Sequence, residues 1–182
     1  MISAHFATCV CMKVAVTGTP GVGKTSACSF VKSLPVIHLN EVVGKLGAVT
    51  GYDAKRKTKV VDVSKLAREI KKMKGDMVIE GHLSHLLHPT IAIVLRCSPK
   101  VLEQRLRRKR WNERKVRENV EAEAVDVVLI EAVQNVPQVF EIDTTHKSPR
   151  RVGLAIEEII SGEKQKYRVG NVDWSREVLG WF

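Results

Sequence analysis

The chain has 182 residues, the length of one domain with room for a buried core. Apolar residues make up 44% of it and no apolar run approaches 18 residues, which excludes both a disordered polymer and a membrane-spanning protein. The formal net charge of +10 exceeds what a small anionic substrate requires, so it points either to a polyanionic partner such as RNA or to a solvated basic surface.

In chain order, residues 1–11 precede the first strand without the basic start of a signal peptide, and they read as an extension ahead of Met12. The four cysteines, Cys9, Cys11, Cys28 and Cys97, contain no Cys-x-x-Cys pair, so a zinc site is not expected and a reducing cytoplasm is the expected compartment. The apolar run Met12–Thr17 predicts a buried strand, and it feeds directly into Gly18-Thr19-Pro20-Gly21-Val22-Gly23-Lys24-Thr25. This is a full match to G-x-x-x-x-G-K-[ST], the phosphate-binding loop. Its glycines open backbone conformations that turn successive N–H groups inward around a polyphosphate, and a helix is expected over Lys24–Ser33. In such a loop Gly21, Gly23, Lys24, Thr25 and Ser26 bind the nucleotide, Lys24 bridges the β- and γ-phosphates, and the Thr25 hydroxyl holds Mg²⁺.

Further strands are expected at Val36–Leu39, Met77–Glu80, Thr90–Arg96 and Gln138–Asp143, and helices at Ser64–Lys74, Pro99–Arg108, Glu113–Gln134 and Pro149–Ile160. The alternation predicts an α/β fold, a parallel sheet of five strands covered by helices. Two stretches exceed that minimal plan. Residues 40–61 are rich in glycine and close on the polar cluster 53–59, whereas residues 105–117 hold eight Arg or Lys in thirteen positions. Both read as mobile pieces around a site. The strand Met77–Glu80 ends with an acid at the carboxyl edge of the sheet, where Glu80 can hold Mg²⁺ through water, and His82 follows two residues later.

Thr17–Thr25, Gly51-Tyr52-Asp53, Glu80-Gly81-His82 and the run from Val94 through Leu102–Leu106 to Trp111–Lys115 occur here in one order. In this set the chain resembles the adenylate kinase isoenzyme 6 family in its archaeal form, over about residues 12–160. The resemblance implies a nucleoside monophosphate kinase-like P-loop NTPase core with a monophosphate-binding insertion at 40–61, a short lid at 107–117 and a C-terminal tail at 161–182. It implies a broad-specificity kinase that uses ATP and Mg²⁺ to phosphorylate AMP or a related monophosphate and also hydrolyses ATP. It further implies action in small ribosomal subunit assembly and rRNA maturation with a platform ribosomal protein, without a membrane partner.

On this reading Lys24, Glu80 and His82 are catalytic, with His82 orienting the attacking water or the acceptor phosphate. Arg108 and Lys109 reach the nucleotide from the lid, and Lys45, Tyr52 and Asp53 are the acceptor-site candidates. Asp143-Thr144-Thr145 stands where such kinases wrap the adenine. Trp111 either stacks on a base or packs on the core, and the aromatic tail docks on the domain or on a partner. A nucleotide-switched binding protein with slow ATP hydrolysis is the alternative.

Overall fold

The computed structural model describes residues 11–54 and 58–181, so most of the N-terminal extension and Lys55, Arg56 and Lys57 of the polar cluster lie outside the described residues. Five strands form one parallel sheet in the order β2-β5-β1-β6-β7. They are β1 (Lys13–Thr17), β2 (Val36–His38), β5 (Met77–Glu80), β6 (Ile91–Arg96) and β7 (Val139–Asp143). Each expected sheet strand is present, and bounds differ by one residue at some ends because the ladder, not the apolar run, decides where pairing stops.

β1, β5 and β6 are buried on both faces, which is why they read as nearly unbroken apolar runs. Val14 and Val16 of β1, Val78 of β5 and Ile93 and Leu95 of β6 form one face. That face packs on α1 (Lys24–Cys28), on Leu102 and Leu106 of α4 (Pro99–Arg108), and on Val152, Ile156 and Ile159 of α7 (Pro149–Ser161). Ala15, Ala92 and Val94 of the opposite face meet Leu129 and Ala132 of α6 (Val127–Asn135). Beside them Met77 and Ile79 meet Leu66 and Ile70 of α3 (Val63–Lys72). The apolar spacing of α3 and the N-caps Asp62 and Ser98, which accept from the N–H groups of Lys65 and Val101, set these helices as their sequences suggest.

α2 (Leu39–Val42) and an antiparallel pair of β3 (Val49–Asp53) and β4 (Thr58–Val61) form a small separate unit. Among the described residues no helix is long and apolar enough to cross a membrane.

Two helices depart from expectation. The helix expected over Lys24–Ser33 stops at Cys28, and the Glu157 carboxylate of α7 captures the backbone N–H groups of Lys32 and Ser33, the latter at 2.9 Å. Backbone donors bonded to a side chain on another element leave no helical ladder to continue. The segment Glu113–Gln134 is two helices, α5 (Glu113–Ala124) and α6, broken at Asp126 with φ +59°. Aspartate tolerates that left-handed conformation. The bend delivers its carboxylate to Arg96 and swings the apolar side of α6 beneath β1 and β6.

Arg96 is 1% exposed and contacts Glu123 at 2.9 Å, Glu141 at 3.3 Å and Asp126. Taking the cation away leaves carboxylates buried without a counter-charge. Arg96→Met is therefore expected to destabilise the protein by about 3–5 kcal/mol, read as a lower urea midpoint at unchanged slope.

Candidate functional site

The phosphate loop leaves the carboxyl end of β1, and its shape is dictated by what surrounds it. Gly18 has φ +131°, and a Cβ there would sit 2.3 Å from the Leu95 carbonyl oxygen, so no side chain fits. Gly21 and Gly23 share φ +103°, and among the described residues no acceptor is hydrogen-bonded to either N–H. A loop with inward, uncommitted N–H groups is a cradle for phosphate oxygens. Lys24 is buried, and its Nζ donates to the carbonyls of Gly18 at 2.6 Å and Thr19 at 3.1 Å. Burial lowers its pKa to about 8 and Lys109 adds to that, while Glu80 and Glu123 pull it back up.

Glu80 shares a sheet face with Val16, which aims it at α1. Its Oε1 accepts from Thr25 Oγ1 at 3.2 Å and its Oε2 lies 2.8 Å from His38 Nδ1. A hydroxyl and a carboxylate oxygen converging beside a phosphate cradle are hard oxygen donors of the kind Mg²⁺ takes, so Thr25 and Glu80 fit that ion. Gly81 separates Glu80 from His82 because a Cβ there would come within 2.9 Å of Leu39 Cβ. His82 stands on the solvent-exposed rim of the cleft, where the surrounding protein, Lys24 and His85 together hold its pKa below the ordinary histidine value.

A cleft of about 450 Å³ runs over this loop. Gly21, Gly23, Lys24, Thr25, Ser26, Glu80, His82 and Lys109 all line it, which brings together most of the sites expected from the sequence. Arg108, Lys45, Tyr52 and Asp53 do not line it: Arg108 and Lys45 are exposed, and Tyr52 is 63% exposed on β3. From α2 and β4 the wall takes Asn40 and Thr58 instead.

Asn112, Arg114 and Lys115, within the expected lid, line the cleft, and Glu118 and Asn119, which sequence reasoning missed, join them because the start of α5 turns one side toward the loop, a helix-face assignment that needs the packing. Trp111 packs on the core and also lines the cleft, with Lys115 Nζ 4.1 Å from its ring centre.

Arg105 holds the carbonyls of Thr144 at 2.7 Å and Thr145 at 3.0 Å, tying α4 to the turn after β7. Thr144 is buried and lies 2.9 Å from the Val22 carbonyl, so the Asp143-Thr144-Thr145 turn buttresses the phosphate loop. His85, outside the expected motif, is buried between Thr17 Oγ1 at 2.8 Å and Glu131 at 3.0 Å. Burial keeps its pKa low despite the carboxylate, a structural role linking β1 to α6.

Comparison with known proteins agrees with this arrangement. Residues 14–126 match a family model described as AAA domain. A protein of Archaeoglobus fulgidus named "Putative adenylate kinase" is 42% identical over 172 residues, covering 92% of this chain and 94% of its own. A protein of the same name from Natronomonas pharaonis is 44% identical over 170 residues, covering 92% of this chain and all of its own. Among solved structures, shikimate kinase from Bacteroides thetaiotaomicron has a TM-score of 0.54 at 15% identity, covering 82% of this chain and 98% of its own. A sugar kinase from Janibacter sp. HTCC2649 has a TM-score of 0.51 at 15% identity, covering 84% and 95%. These two likenesses show the P-loop kinase fold. With the AAA domain over most of its length and such relatives across more than nine-tenths of it, the chain belongs to the archaeal adenylate kinase family of phosphate-loop proteins.

Proposed function

We propose that the protein transfers the γ-phosphoryl group of ATP to a nucleoside monophosphate, with AMP as the acceptor that yields two molecules of ADP. The observation that carries this reading is a cleft lined by the phosphate loop together with Asn40 and Thr58 from one side and Lys109, Trp111, Arg114 and Lys115 from another. Phosphoryl transfer between two nucleotides is largely a matter of positioning and charge neutralisation, and it needs an acceptor wall that hydrolysis alone does not.

In this reading residues 12–160 are the kinase core, 40–61 the acceptor insertion, 107–117 the lid and 161–182 a tail. The N–H groups of Gly21 and Gly23 and the hydroxyl of Ser26 receive the donor's phosphates, and Lys24 leaves the loop carbonyls to bridge its β- and γ-groups. Thr25 and Glu80 hold Mg²⁺, which supplies positive charge to the phosphate oxygens when bound. An oxygen of the acceptor phosphate forms the new bond to the γ-phosphorus as the bond to the β–γ bridging oxygen breaks, leaving ADP on the loop. Lys109 and Arg108 close over the transferred group and exclude water, and Lys45, Tyr52 and Asp53 reach the acceptor when the insertion closes.

The position of Lys45 and Tyr52 outside the cleft favours a second reading, an ATPase switch in which His82 orients water. Membership of the isoenzyme 6 family, with action on a platform ribosomal protein and rRNA in small-subunit assembly, goes with either reading. The membership rests on Thr17–Thr25, Gly51-Tyr52-Asp53, Glu80-Gly81-His82 and the run from Val94 to Lys115 in that order, and the +10 charge favours the ribosomal role.

Three outcomes are expected. ADP formation from Mg-ATP by the purified protein rises strongly with AMP and falls ~10²-fold or more in Lys24→Ala; slow, AMP-independent turnover would instead identify the switch. His82→Gly lowers hydrolysis in the absence of AMP while the Kd for Mg-ADP, measured by calorimetry, is unchanged. Because Lys24 must be charged to hold phosphate, its lowered pKa of about 8 makes affinity fall as pH rises. The Kd for Mg-ATP should increase up to about tenfold per pH unit above pH 8 and lose that slope in Lys24→Arg, whose charge persists.

A further inference from the structure

The segment after α7 is not a loose end. Its residues are exposed or half-buried and add nothing to the fully buried core, yet it makes a series of directed polar contacts. The N–H groups of Gly170 and Val172 donate to Glu141 Oε1 at 2.9 and 2.8 Å. Trp174 Nε1 donates to Glu123 Oε1 at 3.4 Å, and the Arg96 guanidinium lies 5.9 Å from the centre of its ring. One turn later, in α8 (Ser175–Leu179), the Glu177 carboxylate accepts from Ser98 Oγ at 2.7 Å and from the Lys100 N–H at 2.6 Å, capping the start of α4.

Among these contacts the one from Trp174 reaches Glu123, which is 3% exposed. Its Oε1 accepts from Arg96 Nε at 2.9 Å and the Cys97 N–H at 3.1 Å as well as from Trp174. Its Oε2 accepts from Thr19 Oγ1 at 2.5 Å, inside the phosphate loop. Thr19 also presents one of the two carbonyls that hold Lys24. One carboxylate therefore joins the sheet edge, the tail and the loop, and a charged acceptor with four donors has little freedom to reorient.

We propose that Glu123 is a positioning residue for the phosphate-binding loop and that the tail, through Trp174, locks it, so that tail docking and nucleotide occupancy are coupled. The coupling rests on the nucleotide-binding reading of the loop but not on the identity of the acceptor. By linkage, whatever the docked tail adds to nucleotide affinity, bound nucleotide must return to tail docking.

The experiment uses the full chain and Trp174→Phe, which keeps an aromatic ring but removes the N–H donor together with part of the indole, with Glu123→Gln as the stronger variant. Mg-ADP binding by calorimetry should weaken at least about fivefold in Trp174→Phe and further in Glu123→Gln. Where turnover is measured, the KM for ATP should rise with kcat and the KM for AMP within about twofold, a split that general destabilisation does not produce. In the wild type, saturating Mg-ADP should slow hydrogen exchange at the Gly170 and Val172 amides, and in Trp174→Phe that protection should shrink. Unchanged Mg-ADP affinity in Trp174→Phe, or exchange at those amides indifferent to Mg-ADP, would overturn the proposal. The binding and exchange arms need no turnover, so a wild type that binds Mg-ADP but ignores AMP would defeat the kinase reading alone.

Discussion

A guanidinium buried at the carboxyl edge of the central sheet is the constraint around which much of this molecule is arranged. Arg96 stands at the end of β6, one strand from the phosphate loop, and stays charged there only because Glu123, Glu141 and Asp126 surround it. Desolvation works against the cation and the carboxylates more than offset it, holding its pKa above the ordinary value. Meeting that demand breaks the long helix at Asp126, brings α5 alongside the loop and gives the C-terminal segment carboxylates to dock on. Such a cluster is weak evidence of stability for its own sake, since apolar residues fill a core at lower cost, and its value lies in fixing one arrangement.

The loop shows the complementary problem. It must keep a buried lysine ready for polyphosphate without leaving its charge unsatisfied. Lys24 meets this by folding onto the carbonyls of Gly18 and Thr19 while Glu80 and Glu123 support its charge. Glu80 is in turn held by His38 and shared with Thr25, so the acid at the end of β5 is oriented before any ligand arrives. Preorganisation of this kind is where electrostatic catalysis gets most of its advantage, because dipoles set during folding need not be reoriented during reaction.

Much of this was legible in the chain. The strands ending in Thr17, Glu80, Arg96 and Asp143 read correctly because a parallel sheet buried on both faces needs continuous apolar runs. The loop read correctly because its glycines and lysine have few other uses in that order. The helix over residues 24–33 and the single helix over 113–134 were misread for a common reason. Glu157 and Arg96 act on them from positions 125 and 30 residues away in sequence, and local propensity carries no record of such partners. Tyr52 and Asp53 are acceptor candidates from a motif, but which side of a small hairpin faces a cleft depends on how that hairpin leans.

The sequence by itself determined the sheet, the phosphate loop and the acid that faces it, because these depend on residue types within a few positions of one another. The tertiary structure alone decided which residues share the cleft, that Thr144 and Arg105 brace the loop, and that the tail is bound to the domain through Glu123, Glu141 and Ser98. The physical reason is that a buried charge or an unpaired donor must be satisfied by whatever the fold places within hydrogen-bonding distance, and that partner is fixed by packing rather than by neighbourhood in the chain.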